Sequence, residues 1–492
     1  MTADAFRITL AQLNPTAGDI AANAAKARAA RAKAATDGAD LVVLPELFIT
    51  GHLPQTLVLN PEFQAACRAA VESLARLTAD GGPAVLIGTP WVDDGRLYNA
   101  CVLLDAGRIA ALRFKTNLPD HAAFDQTRLF ARGPAAGPVS VRGVRIGVAI
   151  GEDIWVEESE GYENVVETLA ETGAELIVVP AAEPTMRDAG DRRLSAAVAR
   201  VTESDLPLLW LNQVGGQDDG VFDGASFVLN ADLSVAAQLP GFVEDITTLT
   251  LSKGDDGWQC RGPVAALIEG DEADYAACVL GLRDRVAKGG FTGAVLGLTG
   301  DVDSALSAAM AVDAVGPGKV RGVLLPGPDT SQVAQDAATA FAARLGVACE
   351  VLPIAAAVDA FEKILPGPLA SGAHHDLLAR VRITLLMALA STSGALAVAT
   401  RNTSDLPVGR VREMGDVTGG FTLLRDITAA QVIRLATLRG RWKPADALGP
   451  SGEVISPDLI ASPPGAELHD DQMLVEERRR RASSDAVEGR GR

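Results

Sequence analysis

Three positions in the first half of the chain place chemistry at the ends of apolar runs. "DLVVLPEL" (40–47) reaches Pro45-Glu46, "YNACVLLDAGRIAALRFK" (98–115) ends at Lys115, and "RIGVAIGEDIW" (145–155) opens into Gly151 before Glu152 and Asp153. A strand that ends in a turn is a common place to present a reactive group. A buried acid, a lysine and a cysteine nucleophile form a charge-matched set for acyl transfer. The acid takes the thiol proton and the lysine stabilises the oxyanion. Here the third position, Gly151, has no side chain to react. Taken singly, Glu46 and Lys115 read as surface or ion-pair residues; their shared placement at strand ends sets the catalytic reading level with that one. In the second half, "AVLGL" (294–298) enters "TGDVDS" (299–304) and then "ALSAAMAVDAV" (305–315). A strand, a short loop and a helix start bring backbone N–H groups and a positive dipole end together, which suits a pyrophosphate. Thr299, Gly300, Asp301, Asp303 and Ser304 are the candidate loop residues.

The elements that must hold these groups follow from periodicity. In the first half, the runs 7–13, 40–47, 84–90, 174–182 and 207–215 read as strands, 98–115 and 224–239 add strand pairs, and Ala21–Asp37 and Phe63–Ala79 read as helices. This is an α/β layer pattern. Residues 253–275 break the rhythm with Gly, Pro and charge. The expected organisation is a first domain over 1–255, a linker over 256–274, a second domain over 275–470 and a polar basic tail over 471–492. The second half alternates strands (294–298, 320–326, 348–354) with helices (305–315, 331–345, 374–394) and then gives strand and loop over 395–405. That is a doubly wound βαβ pattern.

The bulk numbers agree with two or three packed domains: 492 residues, 48% of them apolar. A net charge of −19 argues against a nucleic-acid partner. The run Arg478–Arg481 sits beside acids and reads as a solvated tail. Cys67, Cys101, Cys260, Cys278 and Cys349 are scattered without metal-ligand spacing, so neither disulfides nor zinc are expected, and no haem. No basic-then-apolar leader opens the chain, and no run of about 18 apolar residues is charge-free enough to span a bilayer. A cytoplasmic protein with no membrane partner is expected.

"LVVLPELFITGHLP", "RFKTNLPDHAAFDQTRLF", "IGVAIGEDIW" and "LNQVGGQDDGVFDGASFVLNADL" resemble the glutaminase half of glutamine-dependent NAD synthetases. The second half resembles the synthetase domain of the same family, through "VLGLRDRVAKGGFTGAVLGLTGDVDSAL", "ARVRITLLMALA", "TRNTSD", "GDVTGGFTLLRD" and "SPPGAEL". The resemblance implies a nitrilase-like α-β-β-α sandwich followed by a Rossmann-like, doubly wound parallel-sheet domain of the ATP-pyrophosphatase (adenine nucleotide alpha hydrolase-like) kind. It implies ATP and Mg²⁺ as cofactors: ATP adenylates the nicotinate carboxylate of deamido-NAD, and ammonia from the glutaminase half displaces AMP. It also implies homo-oligomers.

The resemblance maps the family's Glu–Lys–Cys triad onto Glu46, Lys115 and Gly151, so the nucleophile is lost. Ala181, Glu183 and Thr185 stand where the family has an Asn-Ala-Ser-Pro-aromatic stretch, and Gln126 where an acid is common. In the loop, Thr299 replaces Ser, and Asp301 replaces a Gly that would allow positive φ and close backbone approach. One like-charge contact with a phosphate at ~4 Å and an effective dielectric of 20 costs about 4 kcal/mol, roughly a thousandfold in affinity. A cation between them would reverse that sign. Arg401, Thr403 and Ser462 stand where the family has Gly, Lys and Lys, and its closing segment is missing or replaced. Retained are Asp303, Ser304, Arg380, Asn402, an acid at Asp405, Asp416 and Arg425-Asp426. Asp303 and Asp416 hold Mg²⁺ or substrate in one reading, Asp303 being the metal candidate, and cap helices or turns in the other. Three functions follow: an inactive homologue kept for binding, assembly or regulation, alone or beside an active paralogue; an active synthetase fed by free ammonia; or an enzyme with a changed substrate.

Overall fold

The structure is a computed structural model, and the residues it describes are 5–461 without 53, 121–124, 157–160, 219, 256, 329 and 403–419, with only the backbone of 371. The chain divides into two compact units, Met1–Ile268 and Glu269–Arg492.

In the first unit the elements are β1 (Ala5–Gln12), α1 (Ile20–Thr36), β2 (Leu41–Val43), α2 (Pro61–Leu77), β3 (Ala84–Asp93), β4 (Arg96–Asp105), β5 (Arg108–Phe114), β6 (Val139–Val141), β7 (Val144–Val148), α3 (Val165–Glu171), β8 (Leu176–Ala181), α4 (Ala189–Ser204), β9 (Leu208–Asn212), β10 (Val214–Gln217), β11 (Gly220–Asp223), β12 (Phe227–Leu229), β13 (Val235–Gln238), β14 (Asp245–Gly254) and β15 (Gly257–Arg261). They form a seven-stranded sheet ordered β15-β14-β1-β2-β3-β4-β5, a six-stranded sheet ordered β13-β12-β9-β8-β7-β6, and the β10-β11 hairpin.

Period-two alternation makes the layers. Ile8, Leu10, Leu41, Val43 and Leu86 from one sheet meet Ile146, Val148, Leu176, Val178 and Leu209 from the other in a shared core. The residues between them in sequence point the opposite way. Val42, Val85 and Ile87 pack under α1 and α2, against Ala24, Ala27, Ala30, Val71 and Leu74. Ile177, Val179 and Trp210 pack under α3 and α4, against Val166, Leu169, Ala197 and Val201. The result is four layers, helix–sheet–sheet–helix. The stretch expected to be a linker, 256–274, instead begins with β15, which pairs antiparallel with β14, while β14 runs beside β1 over eight residue pairs.

The second unit contains α5 (Gly270–Lys288), β16 (Ala294–Gly297), α6 (Val302–Val315), β17 (Val320–Leu324), α7 (Gln332–Leu345), β18 (Ala348–Val351), α8 (Ala355–Ile364), α9 (Ser371–Ser393), β19 (Leu396–Ala399), β20 (Phe421–Thr422), α10 (Ala429–Arg439) and α11 (Pro457–Ala461). Its sheet is parallel throughout and ordered β18-β17-β16-β19-β20. The chain winds outward from β16 to β18 and then returns to lay β19 on the other side of β16. Ligands of open parallel sheets bind beyond the strand ends at such a reversal. The 299–304 loop follows β16, and Asn402 follows β19. Behind them a buried ion pair ties α6 to α10: Arg439 donates to Asp313 through Nε (2.6 Å) and a terminal nitrogen (2.9 Å), and the Tyr275 hydroxyl of α5 donates to the same carboxylate (2.7 Å). Among the described residues, no helix is long and apolar enough to cross a membrane.

Candidate functional site

The two sheets of the first unit bring Glu46, Lys115 and Gly151 together. Glu46 lies in the turn after β2, where Leu47 takes φ +48°. That turn presses on Gly88 of β3, where any Cβ would overlap the backbone of 45–47. Lys115 lies one residue past β5, held by its N–H to the Asn99 carbonyl (2.8 Å) and by the Gly133 N–H to its own carbonyl (2.8 Å). Gly151 opens a 3₁₀ turn after β7 with φ +49°. Asp153 in that turn clamps the two sheets' strand ends: its Oδ1 accepts from the N–H groups of Thr116 (2.9 Å) and Asn117 (2.7 Å), and its Oδ2 from Ile150 (3.0 Å).

Lys115 and Glu46 are fully buried, with Nζ donating to Oε1 at 2.6 Å. Asn99 Nδ2 (2.6 Å) and Gln126 Nε2 (3.2 Å) donate to the same oxygen, and Asn99 also donates to Gln126 Oε1 (2.9 Å). Lys115 makes a second ion pair with Glu152. A Cβ built on Gly151 would overlap Glu46 Oε2 and come within 3.0 Å of Lys115 Nζ. The Glu46 carboxylate thus fills the space that the first carbon of a nucleophilic side chain would need.

Burial pushes the Glu46 carboxyl up, but the Lys115 ammonium and the amide donors outweigh it and hold it below the ordinary carboxylate range. Burial likewise pulls Lys115 down, and Glu152 and Glu46 reverse this, so the lysine stays charged. Burial takes His52 down to about 4. Burial raises Asp153 to about 7 against its three N–H donors. Glu183, beyond β8, is pushed up to about 8 by burial and by the charges of Glu152 and Asp223, with Arg193 opposing. This is a carboxylate and an ammonium with no side chain at 151; the Cys101 thiol, near enough to feel Glu46, Asp153 and Lys115, is pushed well above its ordinary value, by burial first. Gln126 accounts for itself here, because an acid at that position would set a second carboxylate against Glu46. Asn99 was not visible as a partner from sequence; only its place on β4, across from β5, brings it to Glu46.

In the second unit Gly300 takes φ +83°, and a Cβ there would lie 2.5 Å from the Ala334 carbonyl oxygen of α7. Glycine is therefore needed at 300. Asp301, expected in the left-handed position, has φ −106° and is ordinary extended backbone. It is the N-cap of α6, with Oδ1 accepting from the Ser304 N–H at 2.8 Å. Thr299 Oγ1 and Ser304 Oγ share a hydrogen bond (2.9 Å), and the Thr299 N–H points at the same hydroxyl (3.3 Å). Asn402 Nδ2 donates to Asp303 Oδ1 at 2.6 Å, joining the ends of β16 and β19. Arg380 is exposed on α9, whereas Arg382, two residues on, reaches the loop after β17 and donates to the Leu325 carbonyl (3.1 Å). Asp405 and Asp416 lie outside the described residues, as do Thr403, Ser462 and Arg478–Arg481. Asp303 offers one carboxylate to a Mg²⁺, an ion that keeps several waters and takes one or two protein carboxylates beside phosphate oxygens. The Ser304 N–H at this helix start already serves Asp301.

Two family models match the chain, one to each of these folds. Residues 7–255 match that of carbon-nitrogen hydrolases and residues 274–478 that of NAD synthase. The chain is 43% identical over 474 residues to the glutamine-dependent NAD(+) synthetase of Rhodobacter capsulatus, covering 95% of this chain and 85% of the relative. It is 35% identical over 487 residues to that of Synechocystis sp., with the same coverage. A solved structure of glutamine-dependent NAD+ synthetase from Acinetobacter baumannii in complex with ADP aligns with a TM-score of 0.84 at 31% identity, covering 95% of this chain and 86% of that one. The chain belongs to the family of glutamine-dependent NAD(+) synthetases, with a nitrilase-like first domain and an NAD synthase second domain.

Proposed function

We propose that this member of the family is catalytically impaired and is retained in the cytoplasm for a binding, assembly or regulatory role, as a homo-oligomer or beside an active paralogue. The observation that carries the reading is Gly151, whose missing side chain has its space taken by the Glu46 carboxylate. Without a thiolate no acyl-enzyme forms from glutamine, and the first unit releases no ammonia. The self-bonded 299–304 loop supports weakened handling of ATP in the second unit. Glutamine supplied to the purified full chain should yield no glutamate. Deamido-NAD, ATP, Mg²⁺ and ammonium together should yield no NAD above background. Steady NAD production from ammonium would overturn the impaired reading in favour of an ammonia-fed synthetase. That second reading is favoured by the Asp303–Asn402 contact at the reversal of the parallel sheet.

A further inference from the structure

We infer that the Asp301 carboxylate serves as the loop's own anion, closing the 299–304 loop to phosphoanhydrides by occupying the Ser304 N–H rather than by repelling their charge. The inference rests on the impaired-loop reading and gives it a mechanism. A phosphate held at a helix start needs the backbone N–H groups that have no intrahelical partner. In α6 the N–H of Ser304 is one of them, and Asp301 Oδ1 takes it at 2.8 Å. The Thr299 N–H and the Thr299 and Ser304 hydroxyls are also engaged within the loop. Ser304 Oγ lies 3.2 Å from the Asp301 carbonyl and 2.9 Å from Thr299 Oγ1, and the Thr299 N–H faces Ser304 Oγ. Ser304 is almost wholly buried. Gly300 supplies the left-handed turn, so Asp301 keeps an unstrained backbone and its side chain is free to fold back as a cap. An aspartate cap is among the most stable choices at this position, and asparagine equals it without charge.

That equivalence separates occupancy from charge. Inorganic pyrophosphate with Mg²⁺ is titrated calorimetrically into the full chain, into Asp301→Gly and into Asp301→Asn. Amide hydrogen exchange at Ser304 is followed in each. The expected result is a gain of tenfold or more in affinity for Asp301→Gly, with faster Ser304 exchange. Asp301→Asn is expected to stay within threefold of the parent and to keep Ser304 protected. An equal gain in both variants overturns the inference and leaves charge repulsion as the cause. No gain in Asp301→Gly also overturns it, because the cap is then not what closes the loop. Should that variant unfold, Asp301→Ala, which likewise removes the acceptor, takes its place under the same criteria. A parent chain that binds pyrophosphate as tightly as Asp301→Gly sinks the inference. Failure of the broader reading shows separately, as NAD formed by the parent from deamido-NAD, ATP and ammonium.

Discussion

Restoring sulfur at position 151 is not a neutral change. Gly151 has φ +49°, and the new Cβ must displace Glu46 Oε2 from a carboxylate held by three donors. The left-handed conformation alone costs a non-glycine residue about 1–2 kcal/mol, so Gly151→Cys should lose about 1–3 kcal/mol of stability in denaturant unfolding. Its thiol, beside the Lys115 ammonium, should still label with iodoacetamide ahead of the native cysteines. Burial raises Cys67 and Cys278 to about 12 and Cys260 to about 11, which leaves them as unreactive thiols. Labelling spread over the native thiols instead would mean that the pair does not activate this position. Glu183 gives a pH prediction. Its folded value of about 8 lies above the ordinary 4.5, so the native state holds the proton more tightly than the unfolded chain. The stability this contributes is complete below pH 4.5 and is lost as pH rises through 8. Melting temperatures of the parent should therefore fall from pH 5 to 8 more steeply than those of Glu183→Gln. Asp153, raised to about 7, keeps some slope in the variant. Parallel curves would show that Glu183 titrates normally.

At the scale of elements, the site depends on how closely turns approach strands. Gly88 of β3 lies directly beneath the 45–47 turn. Gly88→Ala should cost about 3 kcal/mol through overpacking and swing Glu46 off Lys115, visible as a lowered melting temperature and a lost Glu46–Lys115 contact in a crystal structure. A fully stable Gly88→Ala would contradict the close approach. Helix faces decide which arginine of α9 meets the neighbouring loop. Arg380 is exposed on α9, while Arg382 reaches the 325–330 loop. Two residues along a helix turn about 200°, so the two arginines point to opposite sides.

At the scale of the molecule, each unit has its own core and at least one buried ion pair of its own. Removing one partner of a buried pair strands the other charge and costs about 3–5 kcal/mol. Arg439→Met should therefore reduce amide protection within 269–461, where Asp313 and Tyr275 depend on it, while 5–268 keeps its protection. Lys115→Met should do the reverse by stranding Glu46. A loss of protection spread evenly over both units in either variant would mean that they unfold as one.

The strands that carry the site were legible because unbroken apolar runs such as "LVVLP" and "IGVAI" have few other uses. Their ends, Glu46, Lys115 and Gly151, were therefore legible too, as was the lack of a side chain at 151. The two-domain α/β order followed from the same periodicity. β14 and β15 were hidden, since an edge pair rich in Thr, Gly and charge lacks a continuous apolar run, and only pairing with β1 makes it a strand. Side-chain direction belongs to the tertiary structure. The meeting of Asn99 with Glu46, the Asp153 clamp across two sheets and the inward fold of Asp301 each depend on contacts or torsions that neighbouring residues alone do not set. The backbone reveals the same limit at 300 and 301: either could take the left-handed turn by local chemistry, and the approach of the Ala334 carbonyl gives it to glycine.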